Sequence, residues 1–80
     1  MYLHLGQSTV VNVSDIVGIF DIDNTTVSKN TREYLNRAEK EKKVVYVSLD
    51  LPKSFIVMKN GTVYISQISP ATLLKRSKLW

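Results

Sequence analysis

Two carboxylates, Asp21 and Asp23, stand one residue apart at the end of an apolar run, in the order Ile19-Phe20-Asp21-Ile22-Asp23-Asn24-Thr25. An aspartate at a strand end can serve as nucleophile towards phosphorus. A second carboxylate two positions on can act as general acid and base, with magnesium neutralising the phosphate. Val44–Val47 followed by Ser48 has the form of a second apolar strand ending in a hydroxyl, and Lys53 or Lys59 would supply a cation. The last part is missing. Such a site needs a later acidic pair to hold the metal, and all seven Asp and Glu lie at or before Asp50. His4 is the only histidine and there is no cysteine, so nitrogen-rich zinc sites and thiolate sites are excluded as well. Gly6, Gly18 and Gly61 are too far apart to form a phosphate-cradling loop.

The Asp-x-Asp-x-Thr stretch is similar to the first motif of the haloacid-dehalogenase phosphatases. The likeness ends with the missing acids and with a chain too short for the doubly wound sheet that positions such loops. The plainer reading places Asp21 and Asp23 at a strand end leading into a helix. No catalytic residue, cofactor or metal is expected.

The charge is unevenly distributed. Six Lys or Arg oppose seven acids in the first fifty residues, while Lys53, Lys59, Lys75, Arg76 and Lys78 stand alone in the last thirty. The whole net charge of +4 therefore comes from the C-terminal third. A one-sided basic surface concentrates polyanions and speeds encounter with them. Lys75-Arg76-x-Lys78 has no acid near it and is a candidate anion-binding segment. This pattern points to a binding module before an enzyme.

Eighty residues make one domain with a small core, normally reinforced by disulfides, a metal or self-association. Without cysteine, self-association is the expected reinforcement. No stretch approaches the ~18 apolar residues of a membrane span, and the first residues lack the basic and apolar regions of a secretory signal. A cytoplasmic protein without membrane contact is expected.

The elements that must position these groups read as α+β. Residues 2–5 and 9–13 form strands turning at Gly6-Gln7-Ser8. Residues 15–22 form a largely apolar strand expected to be buried on both faces. An amphipathic helix is predicted over about 26–42, with Val27, Thr31, Tyr34, Leu35 and Ala38 on its apolar face. Lys29–Glu33, Glu33–Arg37, Arg37–Glu41 and Glu39–Lys43 would mark its solvated face. Asn24, Thr25 or Thr26 would cap it, or Asn30 with Glu33 in a later capping box. Lys40–Lys43 reads as a solvated helix end.

A strand follows over 44–49, broken by Pro52. Residues 54–59 and 62–67 form a hairpin, with Asn60-Gly61 as the central pair of a type I′ turn. Ser69-Pro70 opens a short C-terminal helix docked by Leu73 and Leu74. Tyr2, Tyr34, Tyr46 and Tyr64 are expected in the core or an interface, and His4 as a strand residue with a polar tip. Pairing should be mixed but mostly antiparallel, within one continuous domain over 1–80.

The series His4-Leu5-Gly6, Val10-Val11, Asp15-Ile16-Val17-Gly18-Ile19-Phe20-Asp21 and Ser69-Pro70-Ala71-Thr72-Leu73-Leu74-Lys75-Arg76 resembles the RemB (YaaB)-like branch of the RemA/RemB family of Gram-positive extracellular-matrix regulators. The likeness runs from Met1 to about Lys78. It implies a small β-rich fold similar to LytTR-type DNA-binding domains. It also implies a cytoplasmic transcriptional regulator of biofilm-matrix genes, a homo-oligomeric ring that binds double-stranded DNA. RemA-type members carry one arginine before the third strand and an arginine cluster before the strand that precedes the hairpin, their expected phosphate contacts. Here Asp15 occupies the first position. The second reads Leu49-Asp50-Leu51-Pro52-Lys53, where only Lys53 keeps the charge. The candidate DNA contacts are therefore Lys53, from that stretch, and Lys75, Arg76 and Lys78, from the acid-free tail. The alternative expectation is a ring-forming adaptor that acts through a protein partner such as a RemA-like paralogue.

Overall fold

A computed structural model describes residues 1–22 and 29–77 of the chain. Strands β1 (Tyr2–Gly6) and β2 (Thr9–Asn12) form an antiparallel hairpin. A 3-10 turn over Val13–Asp15 leads to β3 (Ile16–Asp21). Helix α1 (Lys29–Lys40), strands β4 (Val44–Tyr46), β5 (Ser54–Met58) and β6 (Val63–Ser66), and helix α2 (Pro70–Ser77) follow. The second sheet has the order β3-β5-β6-β4, with β4 parallel to β6 and the other pairs antiparallel. The α+β class and the mixed, mostly antiparallel pairing are as expected.

Alternation along β5 and β6 divides the core in two. On one face of the four-stranded sheet Phe55, Val63 and Ile65 pack with Ala38 of α1. On the other, Ile56 and Met58 pack with Leu3, Leu5 and Val11 of the first hairpin and Leu73 of α2. The small hairpin and α2 thus cover one face and α1 the other. Each fully buried aliphatic side chain contributes on the order of 1.5–3 kcal/mol. Leu3, Leu5, Ile56, Val63 and Leu73, all below 2% exposed, carry much of the core.

Two buried serines join the layers. Ser54 and Ser66 are cross-strand partners and both are 0% exposed. The register of β1 against β2 shifts between His4 and Gly6. The Leu5 carbonyl at that shift accepts from Ser66 Oγ at 2.7 Å. Ser66 Oγ also accepts from Ile68 N at 3.0 Å, and Ser54 Oγ donates to the Ile68 carbonyl at 2.7 Å. One residue later the chain enters α2, where Ser69 is the N-cap: its Oγ lies 3.4 Å from Thr72 N and its carbonyl accepts from Leu73 N at 3.1 Å.

Several expectations need correction. Strand β3 is not buried on both faces: Val17 is 64% and Phe20 38% exposed. It is an edge strand paired only with β5, and a register shift leaves Val17 bulged between Ile16 and Gly18. Phe20 folds over Gly18, which has no Cβ, and stacks on Phe55 with ring centroids 5.1 Å apart. The β5–β6 turn is centred on Lys59-Asn60, not on Asn60-Gly61. Gly61 N donates to the Met58 carbonyl and Met58 N to the Thr62 carbonyl, and Gly61 takes φ +90°. This is a three-residue loop with glycine at the bulge position, not a two-residue type I′ turn.

Strand β4 stops at Tyr46 rather than Leu49. There Ser48 Oγ donates to Gln67 Oε1 at 2.6 Å and accepts from Asp50 N at 3.1 Å, turning the chain away. Asn30 lies inside α1, after helical Lys29, so it is not the cap. Asn24, Thr25, Thr26 and Val27 lie outside the described residues. Leu35 and Ala38 pack inward as expected, but Tyr34 is 41% exposed. Of the four tyrosines only Tyr64 packs against the core, while Tyr2 and Tyr46 are exposed.

Candidate nucleic-acid interface

Lys53 precedes β5, and its backbone is held on both sides. Its N–H donates to the Ser66 carbonyl at 2.9 Å and its carbonyl accepts from Ile22 N at 3.1 Å. The side chain is exposed on this fixed base. Lys75 and Arg76 are exposed in the last turn of α2. Leu73, 0% exposed, fixes that helix to the core. Cations in a last turn also complement the helix dipole, by about 0.3–1 kcal/mol, so their position has a structural use as well. Lys78 lies outside the described residues.

The described candidates form two groups. The Ser54–Ile68 hydrogen bond sets Lys53 beside the entry to α2. Lys75 and Arg76 lie near its exit, roughly 9 Å along the axis at 1.5 Å per residue. The candidates therefore stand at the two ends of α2.

Asp15 ends the 3-10 turn, exposed, and its carbonyl accepts from Lys59 N at 2.8 Å. Leu49, Asp50 and Leu51 lie on the exposed loop after β4, with Leu49 at 103% and Leu51 at 81% exposure. That stretch presents aliphatic side chains around a carboxylate. Asp21 ends β3 opposite Ser54, and Asp23 lies outside the described residues. Among the described residues no three His, Cys, Asp or Glu side chains gather to hold a metal. A groove of about 230 Å³ between α1 and the β4 side is lined by Ile22, Leu35, Val44, Tyr46, Pro52 and Ile65, with Arg32 and Glu39 adding charge. Its lining is mainly apolar. No helix among the described residues is long and apolar enough to cross a membrane.

The RemA-like family model, described as extracellular matrix regulatory protein A-like, matches residues 2–77. The chain belongs to this family. It is also similar to extracellular matrix regulatory protein B of Bacillus subtilis (strain 168), at 41% identity over 78 residues, covering 98% of this chain and 91% of that protein. Family and relative are both named for regulation of the extracellular matrix. Within this RemA-like chain, one feature escapes a reading by sequence segments. Lys43 follows the end of α1, yet its amine reaches the β5–β6 turn, 3.1 Å from where a Cβ on Gly61 would lie. The signal was present in the Lys40–Lys43 run, but the pairing that brings it to the turn was not.

Proposed function

We propose that this RemA-like chain is a cytoplasmic transcriptional regulator of extracellular-matrix and biofilm genes that assembles into a homo-oligomeric ring and binds double-stranded DNA through phosphate contacts. The observation that carries this reading is the acid-free C-terminal third, with Lys53, Lys75 and Arg76 exposed on fixed backbone in a chain of the matrix-regulator family. Lysines give phosphate contacts that position a protein without reading base edges. Assembly is supported by β3 and β4, the two end strands of one sheet, each paired on one side only among the described residues, and by exposed Val17, Phe20, Val45, Tyr46, Leu49 and Leu51. Unpaired strand edges and exposed apolar side chains are features that association covers. Two different edges on one chain suit a head-to-tail contact, which closes into a ring when the rotation permits. A ring repeats one modest patch many times and so favours long duplexes over short ones by avidity.

Fluorescence anisotropy on short and long duplexes at two salt concentrations tests the reading. Affinity should rise with duplex length and fall steeply with salt, with a log–log slope near −0.9 per phosphate contact. Lys75→Glu with Arg76→Glu should weaken binding at unchanged oligomer mass. Binding that survives this change and Lys53→Glu moves the contact to another face.

A second reading is favoured by one observation. Where RemA-type arginines are expected, Leu49 and Leu51 stand exposed around Asp50, a surface suited to a protein. The chain would then be a ring-forming adaptor for a RemA-like paralogue. Absence of binding to long duplex DNA at low salt selects that reading.

A further inference from the structure

We infer that a second polyanion-binding surface lies at the β5–β6 turn, built from Lys42, Lys43 and Lys59, and that its ligand is the sugar–phosphate backbone of duplex DNA. The inference rests on the DNA-binding reading above and assigns to it three residues outside the contacts already named.

Three observations carry it. First, backbone pairing sets the end of α1, which carries Lys42 and Lys43, beside the turn that carries Lys59. The Lys43 carbonyl accepts from Val63 N at 2.8 Å where β4 joins β6, and Lys59 N donates to the Asp15 carbonyl at 2.8 Å. The Lys43 amine lies over the turn, within 3.1 Å of a Cβ built on Gly61. All three residues are exposed.

Second, Lys42 occupies a backbone conformation that does not suit a lysine. Its φ is +59°, its N–H donates to the Glu39 carbonyl, and Lys43 N donates to the Ala38 carbonyl. That pair of bonds is the helix stop in which the left-handed residue is usually glycine. Any Cβ is disfavoured there. A lysine in place of glycine keeps a positive charge at the expense of local stability, and an outlier of this kind points to function.

Third, the surface has the form a polyanion needs. The lysines are spread over a turn and a helix end, and not around an enclosed cavity. A duplex offers a phosphate charge about every 1.7 Å along its axis, so a spread of ammoniums finds partners without enclosing one. Asp15, Glu39 and Glu41 are the acids closest in the chain and the hydrogen-bond pattern. Glu39 also lines the apolar groove with Leu35 and Tyr46, which leaves Asp15 and Glu41 against the three ammoniums.

The test uses the full chain, a long fluorescent duplex and light scattering to confirm oligomer mass. Lys42→Gly removes both a charge and the strain, so it should raise the melting temperature by about 4 °C or more while weakening DNA binding. A purely structural role predicts no loss of binding from a stabilised variant. Lys42→Gly with Lys43→Gln and Lys59→Gln should weaken binding at least tenfold. It should also make the salt dependence shallower by about 0.9 for each contact removed. Lys43→Arg should retain binding. If the wild type binds DNA and the triple variant matches it in affinity and salt slope, this surface is refuted and the DNA reading stands. If the wild type binds no long duplex at low salt, both fall.

Discussion

Ser66→Ala isolates the junction that holds the three layers in place. Ser66 Oγ donates to the Leu5 carbonyl at 2.7 Å and accepts from Ile68 N at 3.0 Å, with the residue 0% exposed. Alanine fits the space but leaves a buried carbonyl and a part-buried N–H without that partner. A buried group left unpaired costs about 1–3 kcal/mol and a part-buried one less, because water reaches it, so a loss of about 2–4 kcal/mol is expected. Against a stability of roughly 4–12 kcal/mol for a domain of this size, that is a large fraction. The melting temperature should fall by roughly 10–25 °C. Urea unfolding followed by far-UV circular dichroism gives the free energy directly, with an unchanged m-value expected. Ser54→Ala should be non-additive with it, because both hydroxyls bond the peptide groups of Ile68. Ser14→Ala is the control, since Ser14 bonds Asn12 Oδ1 at an exposed position and should change stability by less than about 0.5 kcal/mol. A loss below about 1 kcal/mol for Ser66→Ala would refute the view that this hydroxyl joins the first hairpin and the entry to α2 to the sheet.

Gly18→Ala should cost about 1 kcal/mol and weaken the near-UV dichroism of the aromatic pair. A Cβ at Gly18 would lie 2.6 Å from Phe20 Cζ, so the ring must leave its stack on Phe55, a pair worth about 0.5–1.5 kcal/mol. The backbone there is not in the left-handed region, so an unchanged near-UV spectrum would place Phe20 off Gly18 in solution. For assembly, light scattering should give a mass well above the 9.1 kDa of one chain. Leu49→Asp with Leu51→Asp should lower that mass while leaving far-UV dichroism intact, because both side chains are exposed and outside the core. Retention of the full mass by the double variant would locate the contact between copies elsewhere.

Local signals were legible in the sequence where one residue type enforces one conformation. Ser69-Pro70 placed the start of α2, and Asn60-Gly61 placed the hairpin. The turn itself was misassigned because glycine supplies the positive φ both as the second central residue of a two-residue turn and as the bulge residue of a three-residue one. Only the ladder, with Met58 opposite Thr62, distinguishes them, and that is a tertiary fact. The run Ile16–Phe20 was misread for a related reason. Apolar composition cannot tell a central strand from a bulged edge strand with exposed apolar side chains. Ser54 and Ser66 gave no signal, since a strand serine reads as solvated until a register shift at Leu5 supplies a buried carbonyl.

The candidate site shows the same division between what is local and what is not. The excess of positive charge after Asp50 is a property of composition and can be counted. Its arrangement in space depends on parallel pairing of β4 with β6, which sets Val44 opposite Val63 and brings the end of α1 to the turn between β5 and β6. Lys42 and Lys43, counted with the near-neutral first fifty residues, thereby join Lys59 of the basic third. The acids that balance them in the sum do not all follow: Glu39 stays with the groove on α1. A charge boundary drawn along the chain at Asp50 therefore does not survive folding. Which lysines lie near one another is set by strand order and register as well as by position in the sequence.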